Sequence, residues 1–349
     1  MPVADVCPSA RRCGAELARE RGPHDHLCRV SETIITRAPT RIDFGGGWTD
    51  VPPYSDEVGG FVCNVAISRY ATVTVTRHEV ADDEPVSASS SAGDQSIALA
   101  AARRFRLSSA HIDVQSDFPA GAGLGGSSAV GVAIVFALAT TAGESMDRTS
   151  IAELSRAIEI GDLGVPGGRQ DHYAAAYGGA LGLRFSSDGV DVRVIPLDDA
   201  LRAELERRCI VIYTGKSRVS GETIDAVLGA YAHREPRVMS ALKGMRDNAE
   251  QMATALASGD IDTLAALVAE QWRHQRSLHP AIPTPLIDEI IERGAKAGAR
   301  GAKALGASGG GCVLLIAREG RDDDVRNAVA PLGELLSFTV DEHGVRRCR

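Results

Sequence analysis

No apolar run in this 349-residue chain reaches the roughly eighteen residues that a membrane-spanning helix needs. No hydrophobic segment follows the charged N-terminus as a secretory signal requires. Positive charge is scarce as well: 38 Lys and Arg stand against 46 Asp and Glu, a formal net charge of −8. That balance argues against a general nucleic-acid binder, which needs clustered basic residues. An anionic substrate is still admissible, because a local pocket can be basic on an acidic protein. Cysteine is sparse and odd in number, seven in all, which fits reduced thiols better than a disulfide framework. Neither an internal repeat nor a low-complexity block is present. A soluble, cytoplasmic globular protein is the expectation, with length enough for two ordinary domains sharing a cleft.

Residues 1–29 lack periodic pattern and read as a disordered leader. Cys7, Cys13 and Cys28 lie there with His24 and His26, but their spacing matches no usual zinc finger. Strands are expected over Thr33–Ala38, within Phe61–Thr76, and at His111–Ser116, where apolar and polar residues alternate. Helices are expected over Ser96–Arg106, Ala129–Leu138 and Thr149–Ile160; the second is apolar on every face and so buried, the third amphipathic. Ala180–Phe185 and Val190–Ile195 form a hairpin-like pair. The polar stretch Pro196–Arg208 reads as a domain boundary, giving an N-terminal unit at 30–200 and a C-terminal one at 205–349. The second unit opens with strand Cys209–Thr214. It continues through helices at Arg237–Ser258, Asp262–Ser277 and Pro285–Ala299, and closes with Cys312–Ala317, a helix near Asp323–Val329, and Leu336–Asp341. Without a strict βαβ rhythm, this is α+β in two domains.

Three glycine-rich segments carry the chemistry: Arg41–Asp50 (RIDFGGGWTD), Pro119–Ser128 (PAGAGLGGSS) and Lys303–Cys312 (KALGASGGGC). Glycine clusters let backbone approach a ligand and present bare amides, which suits phosphate. Pro119–Ser128 lies between an expected strand and helix. The first-turn amides of Ser127, Ser128 and Ala129 are expected to lack intrahelical acceptors there, and the helix dipole favours an anion. A serine N-cap on a tight turn is the alternative; five glycines between 121 and 131 exceed what a cap needs. Gly121-x-Gly123-x-x-Gly126 also matches the dinucleotide fingerprint, with Glu144 downstream, but that acid should end a second parallel strand and here it lies between helices. The segment contains no Gly-Lys-Ser/Thr, so it is not a Walker A loop either. Trp272 reads as core.

Asp171 stands alone in a glycine turn (PGGRQDHY), twelve residues after Glu159. A carboxylate near bound phosphates can accept the proton of an attacking hydroxyl, and a second one near the serines can hold Mg²⁺. Arg41 and Asp50 bracket Gly45–Gly47, an arrangement suited to a polyhydroxylated ligand, or to a salt-bridged pair that orders the loop.

In order and spacing these segments resemble the three signature motifs of the GHMP small-molecule kinases, from about Thr33 to the C-terminus. Arg37–Tyr54, Gly167–Tyr173, Ala175–Gly179, Thr214–Arg218 and Leu286–Ile290 are similar to its heptose-phosphate and fucose sugar-kinase branch. The resemblance implies a ribosomal-protein-S5-like N-terminal domain and a ferredoxin-like C-terminal one. It implies ATP on Pro119, Gly121, Gly123, Leu124, Gly125, Gly126, Ser127, Ser128 and Ala129, and Mg²⁺ near Ser127 and Glu159, with Ser128 the alternative serine. It implies Asp171 as catalytic base with Arg41 beside it. A sugar or sugar-phosphate acceptor is expected near Asp50, Gly46, Gly47, Trp48, Thr49, Gly168, Arg169, Gln170, Lys216, Arg218, Gly309 and Gly310. Ser308 interrupts an all-glycine run, and His172 stands where glutamine is common, which leaves the exact sugar open. The expected reaction phosphorylates the anomeric hydroxyl of a heptose 7-phosphate. A non-phosphorylated fucose-like sugar or cyclitol, or a catalytically silent binding protein, are the alternatives. Nucleic-acid and membrane partners are not expected, and a homodimer is left open.

Overall fold

The computed structural model describes residues 32–77, 86–90, 94–107, 109–164, 167–216 and 221–348; the cysteine-bearing leader and Arg218 lie outside them. Two long strands found the first sheet. β1 (Glu32–Gly45) and β2 (Gly60–Arg77) pair antiparallel, Ile34 opposite Val75 and Ile42 opposite Val65, with the single turn α1 (Tyr54–Glu57) between them. Alternation in β2 sends Ala71, Val73 and Val75 into the core and leaves Thr72 and Thr74 half-buried. There follow β3 (Ser87–Ser90), α2 (Gln95–Arg104), β4 (His111–Ser116), α3 (Gly126–Thr141) and α4 (Arg148–Arg156). Next come a π-helical turn at Ala157–Asp162, α5 (Gln170–Tyr177), and the hairpin of β5 (Ala180–Ser186) and β6 (Gly189–Ile195). The sheet order is β3, β4, β2, β1, with β5 also pairing β2 and β6 on β5. As its composition demands, α3 is buried nearly all round and packs on this sheet.

After α6 (Asp199–Arg208) the second sheet begins with β7 (Cys209–Tyr213). Four helices follow: α7 (Gly221–Ala232), α8 (Pro236–Ala257), α9 (Ile261–Leu278) and α10 (Pro285–Ala297). The rest is β8 (Ala299–Ala304), β9 (Cys312–Ala317), α11 (Asp322–Val329), β10 (Glu334–Leu336) and β11 (Arg346–Arg347). The antiparallel order β10–β7–β9–β8 places the sheet's fourth strand beside its first and its third beside its second, the ferredoxin-like arrangement. The fold is α+β. One apolar cluster joins the two sheets: Ile42, Phe44 and Val65 pack with Met252, Leu256 and Leu264 and with Leu314 and Ile316. Trp272 is buried in a second-sheet cluster.

The structure departs from the sequence reading at several places. The first strand runs on to Gly45, so Arg41 and Asp43 sit on a strand. Thr149–Ile160 is not one α-helix: it widens into the π-helical turn at Ala157, a feature frequent at functional sites and invisible to a 3.6-residue period. Pro196–Arg208, read as a boundary, contains helix α6, whose N-cap Asp198 accepts from Leu201 N at 2.8 Å. Helices α1, α5 and α7 and strands β3 and β8 are additional. Of the expected closing strand Leu336–Asp341, only Leu336 lies in a strand, β10, which pairs with β7; Val340 bridges to Ile67, and the chain then returns to the first sheet, β11 pairing with β1.

Cys63, Cys209 and Cys312 are buried free thiols, and burial pushes Cys209 and Cys312 up to about 12. Among the described residues no helix is long and apolar enough to cross a membrane.

Candidate active site

A cavity of ≈ 570 Å³, of a size usual for small-molecule sites, opens where the three glycine segments converge. Its first wall is the loop before α3. Pro119, Gly121, Gly123, Leu124, Gly125, Gly126, Ser127 and Ser128 all line it. Gly125 caps α3 with φ 73°, a left-handed conformation that glycine adopts without strain, and a Cβ there would stand 3.0 Å from the Asp171 carboxyl carbon. The third segment closes over this loop: Cys312 N donates to Ala122 O at 2.8 Å, and a Cβ on Gly123 would meet Leu305 O at 2.6 Å. Because α3 begins at Gly126, Ala129 N already donates to Gly125 O at 3.0 Å. The amides left without an intrahelical acceptor are those of Gly126, Ser127 and Ser128, and Ala129, fully buried, is not part of the wall.

Strand β1 carries Arg41 to the middle of the cavity and α5 carries Asp171 to face it. Arg41 Nε and Nη2 lie 2.8 and 2.9 Å from Asp171 Oδ1 and Oδ2, a bidentate pair, while Nη1 donates to Gly123 O at 2.5 Å. Asp171 sits in the first turn of α5 behind N-cap Arg169, so it is not the cap. Burial raises its carboxyl above the usual range in spite of Arg41. Beside it Asp50, 1% exposed, accepts from Gln170 N at 3.0 Å. Burial, with the charges of Asp171 and Asp43 adding to it, pushes Asp50 up to about 7 against the Gln170 hydrogen bond. Gly168 packs on this carboxylate so closely that a Cβ would overlap it.

The π-helical turn delivers Glu159 to the serine end of the loop before α3. Ser127 Oγ donates to Glu159 Oε1 at 2.5 Å and Ser128 Oγ to Oε2 at 3.0 Å. His172, 1% exposed, braces the group from behind: Nε2 is 3.2 Å from Glu159 Oε2 and 3.3 Å from Ser128 Oγ, and Nδ1 is 3.0 Å from Ser155 Oγ. Burial alone would raise Glu159, but hydrogen bonds from His172, Ser127 and Ser128 outweigh it and hold the carboxylate below its usual range. Among the described residues no three acidic, His or Cys side chains cluster as a metal cage. One carboxylate with two serine hydroxyls is an all-oxygen donor set that suits Mg²⁺, which keeps waters and phosphate oxygens as its other ligands. Both serines reach Glu159. His172 therefore acts at this end of the cavity, not on the side of Asp50.

The remaining expected acceptor residues divide. Gly47, Trp48, Gly168, Gln170 and Gly310 line the cavity. Gly46 and Thr49 stand behind it, the Thr49 hydroxyl donating to Gly46 O at 2.7 Å. Gly309 N donates to Ile282 O at 3.0 Å, and Ser308, with φ 79°, also bonds Ile282 O. Arg169 turns to Ser186 O at 3.3 Å and Asp56 at 3.8 Å. Lys216 is exposed, its carbonyl accepting from Gly311 N at 2.8 Å. Gly215-Lys216-Ser217 follows a strand but has Ile210 where a Walker A loop needs glycine.

Sequence reasoning missed Asp43 and Lys303. Both are buried, and Lys303 Nζ on β8 reaches Asp43 Oδ2 at 2.8 Å and Asp43 O at 2.9 Å. Burial pulls Lys303 below its ordinary value although Asp43 opposes it. The signal available was only that each charge lies inside a glycine motif. Asp94, which also lines the cavity and is raised by burial and by Glu159, had no signal.

The GHMP kinases N terminal domain model matches residues 90–179 and the GHMP kinases C terminal model residues 252–333. The chain belongs to the GHMP kinases. It is accordingly a phosphoryl-transferring enzyme. Among curated GHMP kinases it is 27% identical to D-glycero-alpha-D-manno-heptose 7-phosphate kinase of Campylobacter jejuni, over 91% of this chain and 99% of that one. It is 29% identical to the bifunctional fucokinase/GDP-fucose pyrophosphorylase of Arabidopsis thaliana over 84% of this chain, which is 31% of that longer protein. A solved D-glycero-D-manno-heptose 1-phosphate kinase from Bacteroides thetaiotaomicron shares the fold, with TM-score 0.73 and 24% identity over 90% of this chain and 99% of that one.

Proposed function

We propose that the protein is an ATP-dependent sugar kinase that phosphorylates the anomeric hydroxyl of a heptose 7-phosphate such as the D-glycero-D-manno form. The observation that carries this reading is the Arg41–Asp171 clamp, held in one cavity with the free amides of the first turn of α3. The heptose 7-phosphate kinase relative supports the acceptor. We divide the chain into units at 30–200 and 205–349, with β11 returned to the first.

The phosphate loop binds the nucleotide phosphates through the amides of Gly126, Ser127 and Ser128. Asp50 and Gln170 orient the sugar. As the acceptor oxygen bonds to the γ-phosphorus and the bond to the β-phosphate oxygen breaks, the hydroxyl proton passes to an Asp171 oxygen and ADP departs. The raised affinity of Asp171 for a proton suits this, while Arg41 holds the carboxylate in plane and offsets the charge that develops. Ser127 and Glu159 would hold Mg²⁺, which when bound neutralises phosphate charge.

A second reading, a non-phosphorylated fucose-like acceptor, is favoured by one observation: of the described residues lining the cavity, the cationic types are Arg41, already paired, and His172. The fucokinase relative is in keeping with it. A coupled ADP-release screen over heptose 7-phosphates, free heptoses, hexoses, fucose and cyclitols decides between them. The expected result is turnover of a heptose 7-phosphate with a new phosphorus resonance coupled to the anomeric proton. Phosphorylation at any other carbon, or turnover of neutral sugars alone, would overturn the heptose 7-phosphate assignment.

A further inference from the structure

Arg156 and Arg169 flank residues of the cavity wall in the chain, and each has its carboxylate partner only at 3.8–3.9 Å. Arg156 ends α4 and Arg169 precedes α5, their side chains only 20% and 12% exposed. Among the described residues Arg156 makes no hydrogen bond. Its nearest carboxylate oxygen, Glu153 Oε2, is 3.9 Å away, and the other Glu153 oxygen is taken by the Tyr173 hydroxyl at 2.7 Å. Arg169 Nη1 donates to Ser186 O at 3.3 Å, but its carboxylate neighbour, Asp56, lies at 3.8 Å, beyond hydrogen-bond range. The Nε groups of both are buried and unpaired. Burial, followed by the charge of Arg169, weakens the hold of Arg156 on its proton. Glu153 and Asp56 offset this repulsion only from 3.8–3.9 Å, so donor capacity is left for an anion that both guanidinium groups could share.

Both arginines adjoin residues of the cavity wall. Arg169 lies between Gly168 and Gln170, both of the cavity wall, and Gly168 packs on Asp50. Arg156 comes one turn before Glu159 and Ile160, also of the wall. Gly164 and Gly167, between the two arginines in the chain, line the cavity and would meet nothing within 4 Å even with a Cβ. We propose that Arg156 and Arg169 form the seat of the acceptor's second phosphate, a phosphomonoester dianion remote from the reacting hydroxyl. Paired guanidinium forks match three phosphate oxygens in a way that lysines cannot. This rests on the phosphorylated-acceptor reading, and it names a basic site for that phosphate that the cavity wall itself lacks.

The test compares kcat/KM for heptose 7-phosphate with kcat/KM for the same heptose without the phosphate, in the wild type and in Arg156→Gln, Arg169→Gln and the double variant. Glutamine keeps most of the volume and some hydrogen bonding. If the pair seats the phosphate, the wild type prefers the phosphorylated sugar. Each single variant then lowers that preference by roughly ten- to hundredfold, the scale of one charge-assisted contact, with KM for ATP within about twofold. A wild-type preference that survives in the variants, or an equal loss on both sugars, overturns the seat and leaves the proposed acceptor standing. A wild type indifferent to the phosphate overturns both. Should a glutamine variant not fold, Arg156→Lys and Arg169→Lys keep the charge and lose the fork; an undiminished preference in them also overturns the proposal.

Discussion

Arg41 and Asp171, 130 residues apart, meet through two parallel contacts, Nε to Oδ1 at 2.8 Å and Nη2 to Oδ2 at 2.9 Å. The remaining nitrogen of Arg41 is 2.5 Å from Gly123 O, and the Arg41 amide donates to Leu124 O at 3.0 Å. One arginine thus locks the carboxylate and the glycine loop before α3 to the same strand. A displacement of either is therefore felt by the other.

Asp171→Asn keeps the side-chain volume, loses one of the two contacts from Arg41 and removes the proposed proton acceptor. The kcat should fall by about two decades or more, with nucleotide affinity retained. Single-turnover ADP release and nucleotide titration measure the two separately. Activity within tenfold of wild type would reduce Asp171 to a partner of Arg41.

His172→Ala should loosen Glu159 and Ser128. The expected effect is a roughly ten- to hundredfold loss of divalent-cation affinity, the scale for removing a residue that orients a metal-binding carboxylate. The KM of the sugar should change little. Electron paramagnetic resonance of Mn²⁺ with nucleotide reads this without turnover, and His172→Gln should restore part of it. A sugar KM that rises while Mn²⁺ binding is untouched would place His172 on the acceptor side instead.

Asp50 has a carboxyl raised to about 7 from an ordinary 3.8. The folded state therefore holds that proton more tightly than the unfolded chain. The resulting stabilisation is complete below about pH 4 and is lost as the pH climbs to about 7. Asp50→Asn does not titrate, so its stability relative to wild type should improve steadily over that window, by ~4 kcal/mol at most. Thermal melts of both proteins from pH 4.5 to 8 give the comparison. A constant difference across the range would mean that Asp50 titrates as an exposed carboxylate does.

Lys303 and Asp43 form a buried pair across the two sheets, 2.8 Å apart and 0% and 4% exposed. Lys303→Met strands a buried carboxylate and should cost about 3–5 kcal/mol. Adding Asp43→Asn removes the stranded charge and should recover more than half of that. Urea unfolding of the single and double variants forms the cycle. Additive losses would show that the two side chains do not depend on each other.

What could be read along the chain was local. Alternation marked β4 at His111–Ser116 with the bounds the structure has, and the unbroken apolar run marked α3 as buried. Clustered glycines next to serine, aspartate and arginine marked many of the residues that line the cavity, though not Asp94, because backbone freedom and side-chain chemistry are properties of a few consecutive residues. What folding decided was partnership. That Arg41 answers Asp171, that His172 braces Glu159, and that Lys303 answers Asp43 depends on elements brought together from 13 to 260 residues apart. The widening of the helix at Ala157 and the return of the chain end to β1 belong to the same category. Ala129 shows the boundary between the two kinds of information. Its sequence position next to the serines marked it as a free amide, but where α3 starts settles that amide, and the αL turn at Gly125 starts the helix at Gly126. A buried polar group takes whichever partner the packing of the whole chain puts within 3 Å, and no window of neighbouring residues contains that information.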